Sequence, residues 1–344
     1  MKSFAISVII PLYNAEKFIG KALESCLQFS EVKEIIVVDD GFKDEAKSIV
    51  AEYARNHPQI KLFEHPNNEN RGAGATRNLG LEKATQEFIA FLDADDYYLP
   101  NRFEFEKQLF ENPEVDGIYG ATGVHFYNET GRENFIHKFK IQNPEEADEH
   151  LTTLQKEVDP KMLFKHLWAI NVPFIGHFHL NALTVRKTVI DQYNLRFNEK
   201  LRLHQDTEFM GRLAYLSDLF PGNIQNAIAI RGVHDENRYV SNERDTKKIN
   251  QNKKLQYSEA GKWLKNQNAE EEVIKYFDKI TDYFDFKLSG SWNRKIKYLK
   301  FISKYEGFLK SDEFPVDHIH RNLFKNYPLQ KFYLEALFLY RKLF

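Results

Sequence analysis

The first hundred residues alternate between short, wholly apolar runs and longer amphipathic stretches. AISVII (5–10), EIIVV (34–38), IKLFEH (60–65) and EFIAFL (88–92) read as strands buried on both faces. Between them, 15–29 places Phe18, Ile19, Ala22, Leu23, Cys26 and Leu27 on one helical stripe. A second helix is predicted over 43–56, stopped by His57-Pro58, and a glycine-rich turn at 72 enters a third that runs to 85. This alternation predicts an α/β fold: a mostly parallel, Rossmann-like sheet flanked by helices. Beyond residue 110 the pattern loosens. Residues 118–128 read as a strand pair, 179–187 as one strand, and 206–216 as a helix opening at Asp206.

In parallel sheets ligands bind beyond the carboxyl ends of the strands. The three exits here are Pro11-Leu12-Tyr13-Asn14, Asp39-Asp40-Gly41 and Asp93-Ala94-Asp95-Asp96. An aromatic ring and five carboxylates therefore converge on one edge. Asp93, Asp95 and Asp96 repel one another unless a hard cation sits among them, and Mg²⁺ or Mn²⁺ takes carboxylate oxygens while leaving room for phosphate. The competing reading of the triplet is an Asp-rich turn or helix cap; the second acidic pair, Asp39 and Asp40, weighs against it.

Four segments occur in order: SVIIPLYNAEKFIGKALESCL, EIIVVDDGFKDEA, NRGAGATRNLGLEKA and EFIAFLDADDYYLPNRF. Together they resemble the nucleotide-sugar half of family 2 glycosyltransferases, of GT-A fold. The match is strong over residues 4–110 and weaker to about 240. The resemblance implies an inverting transfer from a nucleotide sugar, a UDP-sugar first, to an acceptor hydroxyl in polysaccharide or glycan assembly. Pro11, Tyr13 and Asn14 would lie against the base, and Asp40, beside Asp39, would accept its N–H. Arg71, Gly72, Arg77 and Asn78 would approach the nucleotide or sugar, although Arg77 reads equally as a structural ion-pair partner. Asp93 and Ala94 would face the sugar nucleotide, Asp95 would bind the metal, and Asp96 would support its shell or cap a turn. Phe42 and Thr76 depart from the family pattern.

RFNEKLRLHQDTEFMGRL (196–213) resembles the family's base element, with Gln205 replacing its Glu. Asp206 is the candidate general base; its rival reading is a helix N-cap with Phe209, Met210 and Leu213 packed behind. In IRGVHDENRYVS (230–241), His234 would complete the metal shell or touch the diphosphate. Arg231 or Arg238 would neutralise leaving-group charge, with Asn237 in support. His234 otherwise reads as a solvated loop residue. Trp168, His177 and His179 lie where the acceptor normally binds, and core packing accounts for them equally.

Composition adds limits. The chain has 344 residues and a net charge of −2, which argues against a nucleic-acid binder. Cys26 is its one cysteine, so an intrachain disulfide and a cysteine metal cage are excluded, and it falls on an apolar helical face. No signal peptide or membrane span is read, and the expected location is the cytoplasm. Residues 251–344 hold 18 Lys/Arg against 12 Asp/Glu, a surplus of six positive charges that leaves −8 on 1–250. The expected domains are therefore 1–245, split into a nucleotide-sugar half (1–110) and an acceptor half (111–245), and a mostly helical region, 246–344. That tail reads as a cap or dimer contact, or, through 327–344, as a peripheral contact with the inner membrane face near a lipid-linked acceptor. Two rival functions remain: a sugar nucleotidyltransferase, against which PLYNAEKF lacks the Gly-rich loop, and a silent nucleotide-sugar-binding module.

Overall fold

The computed structural model describes residues 4–41, 44–153, 155–235, 237, 246–289 and 304. Phe42, Arg238 and the 327–344 segment lie outside them. The described residues divide into two compact units, one drawn from 1–167 and 176–245, the other from 168–175, 246–289 and 304. Residues 168–175, expected in the first domain, group with the helical unit.

The first unit begins β1 (Ile6–Leu12), α1 (Ile19–Leu27), β2 (Val32–Asp39), α2 (Ala46–Asn56), β3 (Ile60–Glu64), α3 (Ala73–Lys83) and β4 (Phe88–Phe91). It continues with β5 (Tyr97–Tyr98), α4 (Glu104–Leu109), β6 (Gly117–Tyr119), β7 (Ala121–Phe126) and α5 (Glu129–Phe139). Then come α6 (Pro160–Trp168), β8 (Leu183–Arg186), α7 (Lys187–Gln192), α8 (Gln205–Leu216), β9 (Leu219–Pro221) and β10 (Ala227–Val233). The main sheet has the order β3-β2-β1-β4-β8-β6-β9, and a smaller one the order β5-β10-β7. Strands β3, β2, β1 and β4 are parallel; β8 runs antiparallel to β4 and β6. This is the α/β, mostly parallel arrangement the sequence predicts. It follows from the apolar runs: Ile6, Val8, Ile9, Ile10 and Leu12 are all fully buried, so β1 must be covered on both faces.

Register fixes the functional edge. Leu12 pairs with Asp39, and Ile9 with Phe91, so the residues after each strand leave the sheet side by side. Helix α3 lies on this sheet through Gly80, where an added Cβ would stand 2.4 Å from Ile9 Cγ2. Gly80→Ala gains helix propensity of about 1 kcal/mol but overpacks a full core at about 1–3 kcal/mol. We expect a lower melting temperature; an unchanged one would mean that Ile9 repacks without cost.

Two expected elements differ. The strand pair of 118–128 is two strands in different sheets: β6 joins the main one and β7 the small one. Gly120 lies between them, where a Cβ would meet Ile228 Cδ1 at 2.3 Å and Asn223 O at 3.0 Å. Within 179–187 only β8 is extended, since Leu180–Ala182 form a 3₁₀ turn. Alternating polarity reveals an extended segment but not its partner.

In the second unit, α9 (Thr246–Asn266) and α10 (Glu271–Leu288) form a helical pair. Trp168 packs edge-on against Tyr257 and Phe277, and the Tyr276 hydroxyl donates to its carbonyl at 2.7 Å. This packing, in the helical unit, is the second of the two readings of Trp168. Among the described residues no helix is long and apolar enough to cross a membrane.

Candidate active site

The β2 exit is built for a tight turn. Asp39 Oδ1 accepts from Gly41 N at 3.0 Å, and Gly41 has φ +73°, which favours glycine. Asp40 is buried and accepts the backbone N–H groups of Arg71 (2.7 Å) and Gly72 (2.9 Å). Its carboxylate thus anchors the glycine-rich segment, and only its remaining lone pairs are left for a base N–H. Beside it, Pro11 is half-buried, Tyr13 is 38% exposed and Asn14 takes φ +48°. An exposed ring at a strand exit is suited to stacking.

The acidic turn separates its three carboxylates. Asp93 Oδ1 accepts from Arg77 Nη2 at 2.5 Å. Ala94 is buried beneath the turn. Asp95 Oδ2 lies 3.3 Å from His234 Nε2 and 3.1 Å from Asn237 Nδ2. Asp96 turns inward and accepts from Gly232 N at 2.7 Å and from the Asn181 amide. Burial first, then the charges of Asp95 and Asp93, push its carboxyl well above the usual carboxylate range; Arg231 opposes them. Asp96 is therefore held inside the turn by these two donors.

Asn181 was invisible in the sequence. Its Oδ1 accepts from Asp93 N at 3.1 Å while its Nδ2 donates to Asp96, so one amide spans the acidic turn. In the sequence it is one polar position of the alternating 179–187 stretch. Phe18, on the apolar stripe of 15–29, stacks its ring on the imidazole of His234 with centroids 4.8 Å apart. His234 is not a freely solvated loop residue: its N–H donates to Asn237 Oδ1 at 2.6 Å.

These groups fit a divalent cation. Two ligands of one small octahedral ion stand about 3 Å apart, close to the 3.3 Å between Asp95 and His234. Carboxylate oxygen with imidazole nitrogen suits Mn²⁺, which completes its shell with phosphate and water. Among the described residues no group of three or more His, Cys, Asp or Glu is placed to hold a metal ion, so the pair alone would supply the protein ligands.

Arg77 is 4% exposed, and beyond Asp93 its Nε and Nη1 find no hydrogen-bond partner among the described residues. The ion-pair reading of Arg77 describes this geometry, and the N–H groups on these two nitrogens leave capacity for a ligand. Asn78 differs from expectation. Its Nδ2 donates to Phe197 O (2.9 Å) and Glu199 Oε1 (3.1 Å), and its Oδ1 accepts from Phe197 N (2.7 Å). Both N–H groups are committed within the protein, so Asn78 holds a loop where a sugar contact was expected.

Helix α8 starts at Gln205, with His204 as N-cap at φ +63°. Asp206 is thus not the cap: it lies in the first turn, half-buried, and accepts from Thr207 N at 2.8 Å. Phe209, Met210 and Leu213 are buried behind it, as the spacing predicts. Gln205 Cγ lies 3.5 Å from where a Cβ on Gly74 would be, which sets the α8 start against α3. His179, half-buried, lies 3.0 Å from Thr152 Oγ1; burial, then Arg231 and His177, holds its imidazole well below the usual range, so it is neutral at pH 7. His177 lies 5.9 Å from it, ring to ring.

The family profile described as glycosyl transferase family 2 matches residues 7–173. Residues 7–173 belong to glycosyl transferase family 2. The family segment thus carries the Asp39-Asp40 turn and the acidic turn, while Asp206 and His234 follow it. An uncharacterized glycosyltransferase of Haemophilus influenzae is 41% identical over 105 residues, 30% of this chain and 40% of that one. The uncharacterized glycosyltransferase EpsJ of Bacillus subtilis is 26% identical over 207 residues, 59% of this chain and 54% of its own. These matches span less than two thirds of either relative's length. Among solved structures, S. aureus TarS 1–349 in complex with UDP-GlcNAc aligns with a TM-score of 0.57 at 20% identity, covering 88% of this chain and 80% of that one. A Pyrobaculum calidifontis mannosyltransferase with GDP-Man and Mn²⁺ aligns at 0.50 and 14% identity, covering 96% and 83%. The likeness establishes the GT-A fold.

Proposed function

We propose that this protein is an inverting glycosyltransferase that moves a sugar from a nucleotide sugar, a UDP-sugar first, to an acceptor hydroxyl. The observation that carries this reading is the meeting of Asp95 with His234, 139 residues apart in sequence and 3.3 Å apart in space, at the edge where three parallel strands end. Asp95 and His234 would hold Mn²⁺ or Mg²⁺, with Asp96 and Asn237 keeping them in place. Bound there, the cation would offset the charge of the leaving diphosphate. Tyr13 and Pro11 would face the base, with Asn14, Asp39 and Asp40 shaping the turn around it. Arg71 and Gly72 would line the diphosphate side. Arg77 and Asp93, with Ala94 beneath, would orient the transferred sugar through the guanidinium Nε and Nη1. Asp206 would take the acceptor proton as its oxygen attacks the anomeric carbon, and Arg231 would add positive charge nearby.

Residues 1–245 form the catalytic part on this reading, donor half first, and 246–344 a helical region. The TarS complex with UDP-GlcNAc supports the choice of donor, and the Mn²⁺ of the mannosyltransferase supports a divalent cation. The acceptor would be a glycan or lipid-linked glycan in surface polysaccharide assembly. Homodimerisation or peripheral membrane contact would fall to the helical region. A thermal-shift screen over UDP-, GDP- and TDP-sugars, each with Mn²⁺ or EDTA, tests the core of this proposal. A UDP-sugar should raise the melting temperature only with Mn²⁺. No shift with any nucleotide sugar would overturn it. Slow UDP-sugar hydrolysis, lost in Asp206→Asn, would exclude a silent binding module.

A further inference from the structure

The segment leading into α8 is tied to the donor side of the site at several points. Asn78 on α3 pairs twice with the Phe197 backbone, at 2.7 and 2.9 Å, as a neighbouring strand would. Glu199 accepts from Asn78 Nδ2 at 3.1 Å and from Arg71 Nη2 at 3.0 Å. Arg202 Nη1 donates to Asn70 Oδ1 at 3.3 Å. Arg202 also closes over Gly72, where φ is +87° and an added Cβ would stand 2.3 Å from its Nη1. Phe197 in turn stacks face to face on Phe209 of α8, with ring centroids 4.0 Å apart and planes 7° apart. Asp206 lies on the same helix, one turn before Phe209.

These ties are unequal. Arg71 and Glu199 are each nearly half exposed, and such pairs contribute little. The Asn78 amide is buried, and removing it would strand a backbone N–H and a backbone C=O. The buried links form one chain: Asp40 at the β2 exit holds Arg71 and Gly72, α3 follows, Asn78 grips Phe197, and Phe197 sits on α8. We infer that Asn78 is a positioning residue, which sets the place of Asp206 relative to the donor segment by clamping residues 197–199. The inference rests on the proposed function for what Asp206 does, but not for the clamp itself.

The test compares wild type, Asn78→Ala and Glu199→Ala. The second variant removes an exposed side chain and so tolerates folding. Titration with UDP and Mn²⁺ is read by calorimetry, amide exchange over 197–206 with and without UDP–Mn²⁺, and UDP-GlcNAc hydrolysis by kcat and KM. Wild type that binds no UDP would defeat the proposed function, independently of the clamp. Where wild type binds, UDP–Mn²⁺ should slow exchange over 197–206. In Asn78→Ala that protection should disappear while UDP affinity stays within about threefold, and kcat should fall by about 100-fold with little change in KM, the scale of a misplaced catalytic group. Glu199→Ala should shift the same readings by a smaller factor. A rise in Kd matching the activity loss would overturn the inference, because it would make Asn78 a donor contact. A lower melting temperature with kcat and 197–206 protection unchanged would also overturn it, because the clamp would then serve stability alone.

Discussion

Asp206→Asn should leave Mn²⁺-dependent UDP binding within about twofold of wild type and lower glycosyl transfer by about 10²–10⁴-fold, the usual worth of a general base. The substitution preserves volume, and the amide oxygen can still accept from Thr207 N, the contact Asp206 makes now. The cap at His204 is untouched, so α8 should keep its start. The changed property is the capacity to take a proton. The measurement is kcat against KM with a saturating acceptor. Transfer retained within tenfold of wild type would remove Asp206 from the reaction and return it to the role of a first-turn acid favoured by the helix dipole.

Asp95→Ala should abolish the Mn²⁺-dependent part of nucleotide binding, an affinity loss of at least about 100-fold, since loss of a mere supporting partner already costs about 10–100-fold. The same change should not lower the stability of the metal-free protein. Asp95 is the neighbouring charge that contributes most to raising the Asp96 carboxyl, after burial itself, so its removal relieves repulsion in the turn. Against this, His234 Nε2 and Asn237 Nδ2 each lose one contact but keep the 3.0 Å contact with each other. The paired measurements are UDP titration with Mn²⁺ or EDTA and a melting curve in EDTA. Unchanged Mn²⁺–UDP affinity would sink the metal assignment, and a large loss of apo stability would show that the turn depends on Asp95 for folding.

Much of this site was legible as residue types at strand ends. Parallel strands buried on both faces read as unbroken apolar runs, so the exits and the carboxylates behind them could be located from the chain alone. The motif resemblance implies that His234 joins Asp95 in a metal shell or touches the diphosphate, and the two side chains lie 3.3 Å apart. What could not be read was the partnering of polar side chains. Asn78 looked like a ligand contact but grips Phe197, and Asn181 looked like a strand residue but spans the acidic turn. For Asp206 the helix start at Gln205 removes the cap reading, and the base remains a proposal. Hydrogen-bond partners far apart in sequence leave no local periodicity.

The sequence by itself determined the α/β class, the order of the first four strands' elements and the chemistry of their exits, because burial period and strand-end composition are local properties. Only the tertiary structure decided which carboxylate faces outward and which is buried, that β6 and β7 part into different sheets at Gly120, and that the lead-in to α8 is bound to α3. These outcomes depend on long-range packing, which selects one partner among many of equal local merit.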